Sequence, residues 1–404
     1  MILIKLSDLF EKPISGEWGS ETTNSDGVKV IRTTNFTNVG RLDLSKEVAV
    51  RNIDKSIIAS KKLIPGDIII EKSGGSPTQP VGRVVFFDIN HNTYLCNNFT
   101  SILRAKRHSF PKYLLYILLY LHKLNIVSKY QNKTTGIINL KLNDYLQNIE
   151  IPLPPIETQK KIADVLDKAQ ELIDKRKEQI VLLDDFIRSV FIDMFGDPVS
   201  NPKDWKQCRI DDVYSIIDGD RGVNYPKESD FSDRGYCLFL NTGNVTRDGF
   251  NFDDLKFITI DKDRSLRKGK VQKGDIILTT RGTVGNIVHF DNAIPYDVVR
   301  INSGMVLLRN TDNSISNVYF CELFKNNEMS RKIKSFLSGT AQPQLPITNL
   351  KKINIILPPI EYQNNFIYIA QQAEQQKRLM KKSLTEMENN FNSIMQRAFR
   401  GELF

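Results

Sequence analysis

Apolar residues recur with a helical period in two long stretches of the chain. In the first stretch they follow one another at steps of three and four residues, which places them on one helix face; they are Ile162, Val165, Leu166, Ala169, Leu172, Ile173, Ile180, Leu183, Phe186, Ile187, Val190, Phe191 and Met194. The second stretch has the same spacing in Phe366, Ile369, Ala370, Ala373, Met380, Leu384, Met387, Phe391, Ile394 and Ala398. Prolines precede each stretch and Gly196 and Gly401 follow, as is typical of helix starts and ends. The pattern predicts two helices of about 38 residues, each about 57 Å long at 1.5 Å per residue.

Each helical stretch is preceded by about 150 residues of a different pattern, in which short β-branched runs are interrupted by Gly, Asn and Asp. This alternation is typical of strands and turns. One run, residues 113–121, is continuously apolar. It is far shorter than the roughly 20 residues needed to span a bilayer, so we expect a buried helix.

The two halves of the chain repeat each other. Residues 153–159 (LPPIETQ) return as residues 357–363 (LPPIEYQ), with six of seven positions identical. Three weaker echoes come in the same order in both halves: 6–9 with 210–213, 33–37 with 242–246, and 66–70 with 274–278. A repeat this long is not a solenoid unit but a tandem duplication of a whole module.

The duplication predicts an α+β fold in which each module is a globular α/β domain followed by a long helix. The expected boundaries are 1–150, 151–197, 198–354 and 355–404. No single module can bury the whole apolar face of so long a helix, so we expect the two helices to pair as an antiparallel coiled coil. Two independent surface helices are the alternative.

Charge and cysteine content narrow the class of partner and the compartment. The 404 residues include 56 Lys and Arg against 47 Asp and Glu, a net charge of +9 that favours an anionic partner. The four cysteines are far apart and form no CxxC pair, which is typical of free thiols in a reducing compartment. The N-terminus lacks a basic leader and a small-residue cleavage site, so we expect a cytoplasmic protein and no membrane partner.

The sequence offers no convincing catalytic site. It contains no GxxxxGK[ST] loop, and its Pro-Pro pairs lack the Asn or Asp and the aromatic residue of amino-methyltransferases. Asp67, Glu71 and Lys72 could suggest a nuclease, but their spacing differs from the usual nuclease pattern. The second module also has Thr279 and Thr280 in place of Glu71 and Lys72. The four histidines have no metal-ligand spacing. We therefore expect a binding protein without catalytic or metal-binding residues.

Basic segments without acidic neighbours are candidates for contact with DNA phosphates. Residues 104–141 carry eight Lys or Arg and no Asp or Glu, and end near the polar loop of Lys133 and Thr134. In the second module, basic residues crowd at 262–273 and again at 331–334, before Thr340 and Gln342. Ordinary solvated surface is the alternative for each run taken alone.

The sharpest local signal is residues 279–285 (TTRGTVG), where an apolar strand ends in an arginine between hydroxyls and glycines. Glycines allow close approach of the backbone to a ligand, and the arginine fork suits guanine or phosphate. In the first module a loop of the same kind, with different residues, follows Glu71. The candidate DNA-contacting residues are Thr33, Asn35, Lys72, Ser73, Lys133 and Thr134 in the first module, and Thr242, Asn244, Thr279, Thr280, Arg281, Gly282, Thr283, Thr340 and Gln342 in the second.

The chain resembles the specificity subunits of type I restriction-modification systems over nearly its whole length. The resemblance is carried by the twin LPPIExQ segments with their helices, by FGDP at 195–198 leading to Trp205, by GDII at 274–277 and by RGTVG at 281–285. The first module departs from this pattern, because it lacks the RGTVG motif and has no counterpart of Trp205.

The resemblance implies that each globular part is a target-recognition domain reading one half of an interrupted, asymmetric site in double-stranded DNA. It also implies that the helices space the domains and dock two methyltransferase subunits, which bring S-adenosylmethionine, while motor-nuclease subunits bring ATP and Mg²⁺. This chain itself would hold no cofactor. Three alternatives stay open: a subunit serving methylation alone, a coiled-coil adaptor for proteins, and an enzyme acting alone.

Overall fold

The computed structural model describes residues 3–22, 27–76, 79–134, 137–339 and 342–403, with the backbone alone at 133 and 134. The chain forms two compact units, Met1–Lys177 with Lys382–Phe404, and Glu178–Lys381. Each unit therefore holds one sequence module and a segment of each long helix. The boundaries expected from the sequence separate modules from helices, whereas the compact units divide both helices.

The first module is built mainly of short strands. Its elements are β1 (Leu3–Lys5), α1 (Leu6–Leu9), β2 (Ile14–Ser15), β3 (Ser20–Glu21), β4 (Val28–Ile31), β5 (Ala49–Asn52), α2 (Lys55–Lys61), β6 (Ile68–Glu71), β7 (Ser73–Gly75), β8 (Val84–Phe86), β9 (Tyr94–Cys96), β10 (Thr100–Leu103), α3 (Pro111–Lys123), β11 (Gln131–Thr134), β12 (Ile137–Leu140), α4 (Leu142–Asn148) and β13 (Glu150–Pro152), with 3₁₀ turns at Thr33–Asn35 and Ile126–Tyr130. The first long helix, α5 (Ile156–Phe195), follows.

The strands of the first module form several small sheets. An antiparallel sheet has the order β2-β10-β6-β8, a second has the order β3-β5-β4-β9 with β4 and β9 parallel, and β7 pairs with the β11–β12 hairpin. The pair β1–β13 brings the two ends of the module together. Strand β6 is buried on both faces, because Ile68 and Ile70 belong to one apolar core and Ile69 to another. This explains why it reads as a continuous β-branched run.

The second module repeats this architecture. Its elements are β14 (Gln207–Arg209), α6 (Ile210–Val213), β15 (Tyr214–Asp218), β16 (Cys237–Leu240), β17 (Val245–Thr246), β18 (Gly249–Phe250), β19 (Phe257–Ile258), α7 (Ile260–Ser265), β20 (Ile276–Thr279), β21 (Ile287–His289), β22 (Val299–Ile301), β23 (Met305–Asn310), α8 (Asn317–Lys325), α9 (Asn327–Ser335), α10 (Ile347–Leu350) and β24 (Asn354–Ile356), with 3₁₀ turns at Glu228–Asp230 and Thr242–Asn244. The second long helix is α11 (Ile360–Arg400).

The sheet orders match between the modules. The sheet β15-β23-β20-β21 corresponds to β2-β10-β6-β8, and the pair β14–β24 closes the second module as β1–β13 closes the first. Strand β16 pairs in parallel with β22, as β4 does with β9. The tandem duplication predicted from the sequence is confirmed. The modules differ where the first has the β11–β12 hairpin, since the second has α9 followed by the bridge of Ser338 with Gln344.

The long helices are 40 and 41 residues long, close to the predicted length, and they pack against each other. In the first unit, Ala163 and Leu166 of α5 share a core with Ala398 of α11. In the second unit, Phe191 of α5 contacts Phe366 of α11, with ring centroids 5.5 Å apart. The early part of each helix thus meets the late part of the other, so the predicted antiparallel pairing is confirmed and independent surface helices are excluded.

The repeated LPPIExQ signature has a structural explanation. The side chain of Gln159 is buried, accepts a hydrogen bond from the Phe110 N–H (2.8 Å) and donates one to the Pro154 carbonyl (2.9 Å). In the second copy, Gln363 accepts from the Ser316 N–H (2.9 Å) and donates to the Pro358 carbonyl (2.8 Å). Each glutamine therefore fixes the start of a long helix to its globular module by satisfying backbone groups that would otherwise be buried without partners.

The apolar run at 113–121 lies within α3, and most of its side chains are buried, as the sequence predicts. In the ranges that the structure describes, no helix is both long and apolar enough to cross a membrane. The four cysteines are free, also as predicted. Burial raises the pKa of Cys96 to about 11 and that of Cys321 to about 12, so these thiols stay protonated at neutral pH.

Candidate nucleic-acid interface

A duplicated ion pair lies at the start of β6 and of β20, the strands that lead to the candidate recognition loop of each module, which follows Glu71 in the first and comprises 279–285 in the second. The buried carboxylate of Asp67 is bound by Arg104 through two hydrogen bonds of 2.8 Å, and Asp275 is bound by Arg309 at 2.9 and 2.7 Å. Each aspartate also accepts a backbone N–H three residues before it in the chain. The repeated Gly-Asp motif is therefore a structural element, and both oxygens of Asp67 have partners other than a metal or a substrate.

A duplicated asparagine supports a second segment. Asn35 is fully buried, and its side chain bonds the Arg32 N–H (3.0 Å) and two backbone carbonyls. Asn244 does the same with the Asn241 N–H (2.9 Å) and the carbonyls of Asn251 and Asp254. In each asparagine the side-chain oxygen accepts a hydrogen bond and the side-chain nitrogen donates two, all to groups of the protein, so neither side chain is available to DNA. The expectation of direct contact is corrected for both, and their role is to shape the loops that contain Thr33 and Thr242.

The TTRGTVG loop is held by its own threonines. Thr279 is buried, and its hydroxyl accepts from the Asn286 N–H (2.9 Å) and donates to the Thr283 carbonyl. Thr280 is also buried and donates to the Gly304 carbonyl (3.1 Å). Direct DNA contact by Thr279 and Thr280 is therefore corrected to a supporting role. The glycines at 282 and 285 have φ of +70° and +95°, a left-handed conformation that β-branched neighbours could not adopt cheaply.

Arg281 is half-buried in this loop. Its guanidinium has no hydrogen bond or ion pair to any residue in the described part of the chain. A Cβ placed on Gly304 would lie 3.8 Å from the Arg281 Cβ and 2.8 Å from Thr242 Cγ2, and one on Gly282 would lie 3.6 Å from Thr242 Oγ1. The structure thus brings together Thr242, Arg281 and Gly282 from two distant segments, with Thr283 exposed beside them.

A third segment joins the same surface. The Leu345 N–H donates to the Thr280 carbonyl (2.9 Å), which places the bridge of Ser338 with Gln344 against the TTRGTVG loop. Gln342, two residues before Gln344, is exposed. Thr340 lies outside the described residues.

In the first module the equivalent surface is a groove of about 760 Å³, lined by Thr33, Gly74, Gly75, Ser76, Gln79 and Arg83 among others. Its floor is an ion pair, since Arg83 binds both carboxylate oxygens of the buried Glu71 (2.9 and 3.1 Å) and the Thr33 carbonyl (3.3 Å). The Ser73 hydroxyl bonds Asn139 of β12 at 2.6 Å. The Lys72 ammonium contacts the Ser15 hydroxyl, and burial lowers the pKa of Lys72.

The β11–β12 hairpin, which contains Lys133 and Thr134, pairs through β12 with β7, whose Gly74 and Gly75 line this groove. Lys133 pairs with Ile138 and Thr134 with Ile137, and β12 pairs in turn with β7. The side chains of Lys133 and Thr134 lie outside the described residues. Each module therefore places a third chain segment next to its loop, the β11–β12 hairpin in the first and the bridge of Ser338 with Gln344 in the second.

Comparison with known proteins decides the family. A model of the type I restriction modification DNA specificity domain matches the chain twice, at residues 3–182 and 202–389. The chain belongs to this family.

Relatives and solved structures are similar over most of the chain. The specificity subunit of the type I restriction enzyme EcoKI from Escherichia coli K12 is 23% identical over 412 residues, covering 94% of this chain and 83% of that protein. The MjaVIII specificity subunit of Methanocaldococcus jannaschii is 27% identical over 256 residues, covering 58% and 57%. The crystal structure of a type I restriction-modification S subunit from M. genitalium has the same fold, with a TM-score of 0.55, 16% identity and coverage of 98% and 96%. A chain from a structural study of complex assembly and conformational transition in the type I R-M system also has this fold. Its TM-score is 0.61 at 18% identity, with coverage of 100% of this chain and 98% of that chain.

Within this specificity fold, the structure separates free basic residues from paired ones. In the run at 262–273, Lys262 is bound to Asp230 (3.0 Å), and Lys270 to Asp263 (3.1 Å). Lys273 donates to two backbone carbonyls. Three exposed side chains in this run have no bonded partner among the described residues: Arg264, Arg267 and Lys268. Sequence alone overestimates the basic surface here, because a run of letters does not reveal which charges are neutralised by distant carboxylates.

The same correction applies to the other basic runs. Arg104, Lys112 and Lys123 of the run at 104–141 bind Asp67, Asp167 and Asn392. In the run at 331–334, Arg331 pairs with Glu328, and Lys332 donates to the Asn354 carbonyl (3.0 Å). These side chains support the protein itself, so the phosphate-binding surface is smaller than the sequence suggests.

Sequence reasoning missed one segment of the second specificity domain, the loop at 219–225. The Arg221 guanidinium donates to the Ser303 carbonyl (3.4 Å), beside Gly304 and hence beside Arg281. The available signal was a glycine shared by both modules, since a Cβ on Gly16 would lie 2.0 Å from the Asn97 oxygen and one on Gly219 would lie 2.1 Å from the Asn302 oxygen.

Proposed function

We propose that this chain is the sequence-reading, non-catalytic subunit of a type I restriction-modification complex, and that each globular domain reads one half of a bipartite, asymmetric DNA target. The family match to two tandem DNA specificity domains supports this assignment. So does the duplicated surface, because two copies of one scaffold with different exposed residues suit two different half-sites.

The observation that carries the proposal is the state of Arg281. An arginine without a bonded partner in the described chain, on a loop shaped by buried threonines and glycines, is available to a ligand. Its planar fork matches the two acceptors of guanine or the oxygens of a phosphate. In the first domain the arginine of the groove is already bound to Glu71, so the two domains offer different groups to DNA.

Partner subunits are part of the same proposal. The relatives are named as subunits of type I restriction enzymes, and the long helices carry exposed apolar side chains that suit a protein partner. In the second unit they include Val181, Leu182, Phe186, Tyr368 and Leu379, which are 48–67% exposed. We assign the paired helices to spacing the domains and docking two methyltransferase subunits, which bind S-adenosylmethionine. Motor-nuclease subunits with ATP and Mg²⁺ complete a restriction complex in the cytoplasm.

Service to a methyltransferase alone is the closest alternative, and the presence of a nuclease subunit gene beside this one separates the two. A second alternative is an adaptor that binds proteins, and a flat salt dependence of any DNA association would favour it, because phosphate contacts weaken steeply with salt.

The decisive experiment is methylome sequencing of cells that express this chain with its neighbouring methyltransferase, compared with cells lacking this chain. We expect a new modified motif of two short blocks separated by unspecified bases. A motif that is a single uninterrupted block contradicts the two-reader proposal, and methyl transfer by the purified chain alone contradicts the non-catalytic assignment.

A further inference from the structure

An apolar side chain stands unusually exposed on the second domain, in the loop at 219–225. Val223 is 93% exposed, the highest value among the large apolar residues that the structure describes. It follows Gly222, which has φ of +102°, and it lies in a turn closed by the Tyr225 N–H donating to the Gly222 carbonyl (3.1 Å). The turn directs the valine away from the protein.

The loop is held in this conformation from several sides. The carboxylate of Asp220 accepts backbone N–H groups from Arg221 (2.7 Å), Arg267 and Lys268 (3.3 Å). The Asn224 amide donates to the Ser265 carbonyl (3.2 Å). Because these bonds fix both arms of the turn, Val223 cannot fold back onto the protein without breaking them, so its exposure is built into the loop.

The surroundings of the loop are those of the DNA surface. Arg221 reaches the Ser303 carbonyl, next to the Gly304 position that adjoins Arg281 and Thr242. The same Asp220 that fixes the loop binds the backbone of Arg267 and Lys268, whose exposed side chains have no bonded partner among the described residues. The apolar tip therefore lies beside two cations without a bonded partner in the described chain, whereas Arg221 of the loop itself is paired with Asp218 (3.2 Å).

Among the described residues 16–22 of the equivalent loop, the first domain has no such tip. Its apolar residue there is Trp18, and the Arg51 guanidinium covers the ring at 3.9 Å from the centroid. Glu17 of this loop is paired with Lys61 (2.8 Å). The exposed valine is thus a property of the second domain and not of the shared scaffold, which is what a residue that specifies one half-site requires.

We infer that the loop at 219–225 is a base-reading element of the second domain, in which Val223 contacts the C5-methyl group of a thymine while Arg267 and Lys268 contact the flanking phosphates. The thymine methyl is the apolar group that the base edges present in the major groove, and small apolar side chains contact it. Cations beside it match the phosphates that border the groove. This inference rests on the proposed function and names a specificity contact within it.

The test removes the thymine methyl group in one series and both valine methyl groups in the other. Duplexes that carry the motif found by methylome sequencing are made with uracil replacing single thymines, and their binding to the complex of this chain with its methyltransferase subunits is measured. We expect wild type to lose about three- to fivefold in affinity at one thymine of one half-site, the range for one buried methyl group. The Val223→Ser complex should bind the thymine duplex more weakly and should not distinguish thymine from uracil there.

Val199→Ser, at another exposed valine after α5, is the matched control and should behave as wild type. Equal affinity of wild type for thymine and uracil at every position overturns the inference, as does a second-domain half-site without an A·T pair. Unchanged uracil sensitivity in Val223→Ser overturns it as well. In each of these cases a bipartite motif leaves the proposed function standing, whereas the absence of any bipartite motif counts against the proposed function itself. The uracil series on wild type is independent of the folding of the variant.

Discussion

In the first domain the strand that enters the recognition loop ends in Glu71, and Arg83 neutralises it. In the second domain the equivalent residue is Thr279, and the loop arginine, Arg281, is left without a bonded partner in the described chain. Beneath these differences the two domains share the same buried polar contacts. The comparison teaches that the scaffold satisfies its own backbone groups, so the exposed positions are free to differ without changing the fold.

The largest effect is expected where the two domains agree. Replacing Asp275 by Ala leaves Arg309 and a backbone N–H without their partner and should lower the free energy of unfolding of the second unit by about 3 kcal/mol. Asp67→Ala should do the same to the first unit, since Arg104 binds it in the same geometry. Unfolding in urea is followed by tryptophan fluorescence, because Trp18 lies in one unit and Trp205 in the other.

Trp18→Phe and Trp205→Phe backgrounds assign each transition to its unit, and Asp253→Ala, at an exposed position, is the control. A strong loss in one unit with none in the other would show that the duplicated motif has kept its structural role in a single domain.

The next effect is expected where the domains differ. Arg281→Ala should reduce affinity and relax base choice in one half-site by about 2 kcal/mol, the range of one bidentate arginine–guanine contact. Binding of the complex to duplexes altered in either half-site measures this. The other half-site should keep its discrimination, and Arg400→Ala at the end of α11 removes the same charge elsewhere. Equal relaxation of both half-sites would contradict the assignment of one domain to one half.

Sequence predicted the fold better than the site, and the reason is physical. The helices and the duplication appear in periodicity and in repeated letters, such as Gln159 and Gln363, because buried contacts constrain residue type. The same constraint misled the choice of site residues: the echoed Asn35 and Asn244 repeat since both are buried. The exposed tip at Val223 has no repeated letter and no periodicity, so only the three-dimensional arrangement reveals it.

A smaller effect is expected in the helix pair. At the position equivalent to the buried Ile173 of the first unit, the second unit has the buried Lys377, bound to Asp184. Burial alone would lower the pKa of Lys377, but the hydrogen bond to Asp184 and the charge of Glu374 outweigh it and raise the pKa. The lysine therefore stays charged at neutral pH, and this pair is lost only as pH rises above the usual lysine range of about 10.4.

Because an apolar residue of suitable size can replace a buried ion pair, Lys377→Ile should leave the free energy of unfolding within about 1 kcal/mol of wild type. Lys377→Ala leaves Asp184 without its partner and should destabilise the second unit by about 1–2 kcal/mol, a moderate value since Asp184 is partly exposed. Urea unfolding followed at Trp205 distinguishes the two. Equal destabilisation by both variants would show that the charge of Lys377 is required and that an isoleucine, as at Ile173 of the first unit, cannot replace it.

The smallest effect compares two basic residues of one run. Arg267 is exposed without a bonded partner in the described chain, whereas Lys262 is bound to Asp230. A phosphate contact releases counterions, so Arg267→Ala should reduce the slope of log K against log salt concentration by about 0.9, while Lys262→Ala should change it by much less. Affinity is measured from low to moderate salt with a specific and an unrelated duplex. Arg267→Ala should weaken both duplexes alike, because a phosphate contact carries no base information. If Lys262→Ala lowers the slope as much as Arg267→Ala, then net charge and not the pairing seen in the structure governs binding, and the division of this run into free and structural cations fails.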